Sequence, residues 1–108
     1  MSMDAVVGGP DEDGIGDALE AEGVDVARVN GTISRPALEE AGILEAHLYV
    51  LTDIDQATTI PIAHDLNDDL RTITYARRTI PEFVKGQLDL AIDPQLMDAT
   101  VVAEELVG

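Results

Sequence analysis

Val6-Val7-Gly8-Gly9-Pro10-Asp11-Glu12-Asp13-Gly14-Ile15-Gly16-Asp17 leads an apolar strand into a glycine-rich turn and then into a helix. In α/β folds a turn of this kind is where phosphate is held, because the backbone can approach closely and the helix aims its first N–H groups at an anion. On that reading Gly8, Gly9 and Gly14 wrap a phosphate and Gly16 lets helix and strand pack closely. The three consecutive carboxylates Asp11, Glu12 and Asp13 oppose it. The other reading is a solvated turn in which a carboxylate takes the place of phosphate, with Asp13 capping the helix.

Working outward, short apolar runs alternate with amphipathic ones. Ala5–Gly8 reads as a strand, Gly14–Glu22 as a helix stopped by Gly23, and Val24–Val29 as a strand of period two. Ser34 caps a short helix with Pro36 in its first turn, ended by Gly42. His47–Leu51 is the third strand. A helix is expected over Asp55–Asn67, with Pro61 expected in its interior to bend it. Arg71–Ala76 is the fourth strand, Ile80–Lys85 a short helix and Leu88–Ile92 the fifth strand. Pro94–Val107 closes the chain as a helix, with Asp93 as its cap and Leu96, Val101 and Leu106 among its apolar positions. Five strands alternating with five helices predict a three-layer αβα sandwich around a five-stranded parallel sheet. The economical strand order is 2-1-3-4-5, Rossmann- or flavodoxin-like.

The chain has 108 residues, which suits a single domain spanning 1–108. Its 22 acids against 6 bases give a net charge of −16, and Lys85 is the only lysine. With 45% hydrophobic residues it is too apolar for a disordered acidic chain. Such a surface suits a halophile working in molar salt, where the Debye length falls to roughly 3 Å. Nucleic acid and anionic membranes are poor partners for this charge. There are no cysteines, so disulfides and thiolate chemistry are excluded. No stretch approaches the roughly 20 apolar residues of a membrane span, and no signal segment opens the chain; the expected location is cytoplasmic.

Leu38-Glu39-Glu40-Ala41-Gly42-Ile43 and the strand ending in Thr52-Asp53 look like the leucine-x-x-alanine-glycine-isoleucine helix and threonine–aspartate strand end of one known family. Arg71–Arg77 and Asp93-Pro94-Gln95-Leu96 match its later arginine-bearing strand and proline–x–leucine helix start. The chain thus resembles the TrkA-N family, the RCK or KTN nucleotide-binding domains that regulate potassium channels and transporters. The resemblance implies a regulatory module binding NAD(H), an adenine nucleotide or another phosphorylated ligand, a homodimer, and a transport-protein partner. It makes Thr52 and Asp53 ribose or adenine contacts. There are departures. Gly8 to Gly16 spans eight steps where the dinucleotide fingerprint spans five. The ribose-binding acid expected near Asn30 is missing, and a helix and strand between Val29 and Pro36 are gone.

Other readings weigh the same residues. Asp53 or Asp55 could serve only as helix caps. With Asp11, Glu12 and Asp13 they could gather a hard cation such as Mg²⁺. Four of the six bases lie between Arg71 and Lys85, and Arg77-Arg78 fall just past the fourth strand, where guanidinium forks suit phosphate, a carboxylate or a second subunit. The histidines His47 and His64 have no metal-ligand spacing. No nucleophile or acid–base pair can be assigned, so an enzyme of nucleotide metabolism has only position in its favour. A phosphate-accepting receiver domain shares the 2-1-3-4-5 layout. It needs paired acids ending the first strand and a lysine after the fifth; here those places hold Gly8-Gly9 and Asp93-Pro94, so that reading fails. The remaining expectation is a dimerising or partner-docking domain that binds no ligand.

Overall fold

The computed structural model describes residues 3–77, 80–82, 86 and 88–108. Five parallel strands, β1 (Asp4–Gly8), β2 (Asp25–Val29), β3 (Leu48–Leu51), β4 (Arg71–Tyr75) and β5 (Leu90–Ile92), form one sheet in the order β2-β1-β3-β4-β5. The expected α/β sandwich and strand order are therefore present. Helices α1 (Ile15–Ala21) and α4 (Ala99–Val107) cover one face, and α2 (Arg35–Glu40) and α3 (Thr59–Leu66) cover the other.

Alternation along the strands builds both cores. Ala5, Val7, Leu48, Val50, Ile73 and Tyr75 point toward α1 and α4. Val6, Tyr49 and Leu51 point toward α2 and α3, where they meet Leu38, Ile60 and Ala63. On that second face β4 turns polar: Thr72 and Thr74 are buried there, and the Thr72 hydroxyl meets His64 Nε2 at 3.1 Å. Strands buried on both faces read as continuous apolar runs, which is why β1 and β3 were visible in the sequence.

Three helix expectations need correction. Asp55–Asn67 is a 3₁₀ turn, Ile54–Gln56, followed by α3 from Thr59. Pro61 thus lies in the first turn of α3, where its missing N–H costs nothing, and not in a helix interior. The last helix starts at Ala99, with the Asp98 carboxylate accepting from Val101 N at 3.0 Å. Asp93 instead closes a separate turn, accepting from Gln95 N at 2.8 Å. Two aspartates five residues apart both offer a helix start, and burial decides between them. Val102, Ala103 and Leu106 are inward on a helix begun at Ala99, while Leu96 is 86% exposed. The expected helix over Ile80–Lys85 falls largely on residues outside those described.

β5 is also shorter than Leu88–Ile92. The Asp89 carboxylate takes the Thr72 N–H at 2.8 Å while the Asp89 N–H donates to Thr72 O at 2.9 Å, so a side chain supplies one of the two bonds there. No helix of the described residues is long and apolar enough to cross a membrane.

Candidate functional site

In open parallel sheets, ligands sit beyond the carboxyl ends of the strands. Here that edge gathers the Gly8–Gly16 turn, Thr52-Asp53 after β3 and Ala76-Arg77 after β4. Glu12, Asp13, Thr52, Asp53, Tyr75 and Arg77 are among the residues that line a small cleft of about 180 Å³.

The turn is occupied by its own acid. Asp11 Oδ1 accepts from Ile15 N at 2.7 Å and Oδ2 from Gly16 N at 2.8 Å, the positions a bound anion's oxygens would take. Arg28 of β2 completes the arrangement, with Nη1 at 2.9 Å from Asp11 Oδ2. Its Nη2 reaches Asp17 at 2.8 Å and Glu20 at 2.9 Å on α1. The Asp11 hydrogen bond, foremost among several carboxylates, raises the Arg28 pKa further above its ordinary value. A Cβ on Gly16 would lie 2.8 Å from Arg28 Cζ, so a side chain there would push the guanidinium away from its acids. Gly14 takes the left-handed conformation, φ 76°, that turns the chain into α1. The helix-capping role expected of Asp13 thus belongs to Asp11. Asp13 turns the other way and pairs with Arg77 at 2.8 Å, across the cleft.

The end of β1 is closed by packing. A Cβ on Gly8 would meet Ile33 Cδ1 at 2.8 Å and the Tyr49 hydroxyl at 2.9 Å. One on Gly9, at φ 97°, would meet Thr52 Oγ1 at 2.7 Å. Tyr49 is fully buried, bonded to Thr59 Oγ1 at 2.8 Å, and burial pushes its phenol up to about 12. Burial also raises Tyr75, whose hydroxyl donates to the Met97 carbonyl at 2.8 Å.

Thr52 and Asp53 serve the loops. The Thr52 hydroxyl donates to carbonyl oxygens, at 2.6 Å to Pro10 and 3.1 Å to Gly8. Asp53 accepts from Asp55 N at 3.1 Å and from Gln56 Nε2 at 3.2 Å. Gln56 also donates to Gly31 O at 2.9 Å and accepts from Ile33 N at 2.6 Å. Among the described residues no three acids or histidines converge as a metal site would require. Asp11, Asp13 and Asp53 are each drawn to a different partner. His47 is remote, its Nδ1 accepting from Asp4 N at the amino edge. Arg78 lies outside the described residues.

Sequence reasoning did not single out Arg28, Tyr49 or Gln56. Arg28 left a signal, as one of only six bases and placed on a strand beside the acids Asp17 and Glu20. The basic run from Arg71 to Lys85 drew attention away from it.

The fold is similar to that of an orphan response regulator of H. pylori, with a TM-score of 0.70 at 11% identity over 98% of this chain and 94% of that one. A putative pilus assembly-related protein from Burkholderia pseudomallei matches with a TM-score of 0.69 at 10% identity, over 97% and 87% of the two chains. A response regulator from the same organism, solved with a phosphorylated aspartic acid, a calcium ion and citrate, matches at 0.63 and 17% identity, over 98% and 71%. No curated protein sequence matches the chain.

These likenesses overturn the TrkA-N resemblance and the nucleotide-binding module drawn from it. The NAD(H) or adenine-nucleotide cofactor and the potassium-transport partner rested on that resemblance alone and find no support in these likenesses. The shared helix and strand signatures were those of any alternating α/β chain, whereas the long turn, the missing ribose acid and the 2-1-3-4-5 order separate this protein from a dinucleotide fold. The family model that matches residues 5–106 is that of the DUF7126 family, a family of unknown function, and the chain belongs to it.

Proposed function

We propose that this protein is a regulatory module built on a receiver-like fold, held in one state by internal ion pairs and not switched by phosphoryl transfer. The observation that carries this reading is the packing of Gly8 and Gly9 against Tyr49, Ile33 and Thr52, in the place where a phosphate-accepting receiver needs paired acids. Asp93 stands where such a receiver needs a lysine. The likeness to two response regulators supports the fold and, by analogy, a signalling role. Leu90, Leu96, Met97 and Val101, all left exposed on β5 and around the start of α4, are what such a module would offer to a partner or to a second copy.

A second reading has one observation in its favour. Asp53 follows β3 and lines the cleft with Glu12 and Asp13, so it could accept a phosphoryl group. Against this, its two oxygens already accept from Asp55 N and Gln56 Nε2.

One experiment separates the two. The protein is treated with acetyl phosphate and Mg²⁺ in molar KCl and followed by intact-mass spectrometry and amide NMR. The expected result is an unchanged mass and unmoved Gly9 and Thr52 signals. A phosphoryl adduct on Asp53 would establish the second reading instead.

A further inference from the structure

β2 is the outer strand of the sheet and, among the described residues, pairs only with β1. Asp25 N bonds to Met3 O and Gly9 N bonds to Val29 O, so Asp25, Ala27 and Val29 turn their peptide groups toward β1. Parallel pairing alternates, which leaves the N–H and C=O of Val26 and Arg28 directed outward. A row of unpaired peptide groups is a template for another strand unless it is covered.

Among the described residues nothing covers this edge. A groove of about 610 Å³ runs along Asp25–Ala27, and a second of about 400 Å³ continues along Ala27–Asn30. The two share Ala27 and Ala41, so they follow the whole length of β2. Their far wall is made of small residues, Ala37, Ala41, Gly42 and Ala46, which leave space beside the strand. The charged groups lining the grooves are five acids, Asp4, Glu20, Asp25, Glu40 and Glu45, and one base. The only base there, Arg28, is already held by Asp11, Asp17 and Glu20.

We propose that the free edge of β2 binds an extended, basic segment of a partner protein, which pairs with Val26 and Arg28 as an added strand. Main-chain hydrogen bonds supply the pairing, and alternate side chains supply the selectivity. Side chains of the added strand on one face drop beside Ala27 into the space left by Ala41 and Ala46. Those on the other face pass Glu20. Aliphatic residues fit the first row and lysine or arginine the second, and the acids along both rims steer a basic segment toward the edge. This surface is separate from the carboxyl-edge cleft, so the acetyl phosphate result does not bear on it.

The test uses the full chain and a capped peptide of alternating lysine and valine. Affinity is read by fluorescence anisotropy and site by amide hydrogen exchange, at several KCl concentrations. The expected result is slowed exchange at Val26 and Arg28. Methylating alternate peptide nitrogens should weaken binding about tenfold or more, through lost main-chain bonds. Ala41→Tyr should fill the groove and block the peptide; Ala27→Tyr, on a strand that favours tyrosine, should do the same if the first variant folds poorly. Equal binding of the methylated peptide, or unchanged exchange at Val26 and Arg28, would overturn the proposal. Protection of those amides without peptide, rising with protein concentration, would also overturn it by making a second copy the occupant.

Discussion

Asp11 and Arg28, 17 residues apart in sequence, meet at 2.9 Å beside the first turn of α1, and the same carboxylate holds the amides of Ile15 and Gly16. One acid therefore does what a bound anion would do, and it does so from inside the chain. Its side chain is only 13% exposed, so the carboxylate itself is largely shielded from water.

Removing that carboxylate should be costly. Asp11→Ala leaves two helix-start amides without an acceptor and strips Arg28 of its most buried partner. The expected loss is roughly 1–3 kcal/mol, in the range of cap and charged hydrogen-bond deletions. Urea denaturation in molar KCl measures it. Asp17→Ala, which removes an acid 84% exposed, should cost far less. Equal losses in the two variants would show that Asp11 is only one more surface acid.

Restoring acids at the end of β1 should fail as a repair. Gly8→Asp forces a Cβ against Ile33 and Tyr49, and Gly9→Asp adds a side chain at a φ of 97°. Each should cost upward of about 2 kcal/mol, by overpacking in the first case and backbone strain in the second. Neither variant should gain Mg²⁺-dependent stability in a thermal melt. A melt raised by Mg²⁺ in either variant would mean that the packing around Tyr49 yields easily.

Stability should also fall in strong base. Tyr49 is raised from its ordinary value of 10.0 to about 12 because burial disfavours the phenolate. The folded state therefore keeps a proton that the unfolded state releases, and the difference opens as pH rises through 10. The contribution is fully present below that pH and is lost toward pH 12, a decline of roughly 2–3 kcal/mol. Tyr75 adds to it in the same direction. Because the chain has only these two tyrosines, ultraviolet titration reads them directly. Neither should ionise at the ordinary value while the fold persists, and Tyr49→Phe should remove most of the alkaline slope. A phenolate signal from both at pH 10 in folded protein would contradict the burial argument.

The sequence was most legible where burial and backbone agree. β1 and β3 are apolar on both faces, Gly23 and Gly42 stop their helices, and Ser34 caps α2 by accepting from Ala37 N at 3.2 Å. It misled where two local signals compete, as at Asp93 and Asp98, since only packing against the sheet chooses between them. The site was half visible. The position of the glycine turn was clear from strand and helix alone, but its filling depended on Arg28, which arrives from the neighbouring strand. Ligand identity was read from helix and strand signatures that many α/β chains share, and that reading did not survive comparison of whole folds.

Gln56 shows where an acidic surface has to stop. It stands between Asp55 and the exposed end of the β2–α2 connection, in a chain with 22 acids, and a glutamate there would match its neighbours in size. Yet its amide must give protons to Gly31 O and Asp53 while taking one from Ile33 N. A carboxylate can only accept, and it would also face Asp53 with like charge. The connection after β2 and the exit from β3 are thus latched by a neutral group. Adaptation toward negative charge can proceed around that latch without replacing it.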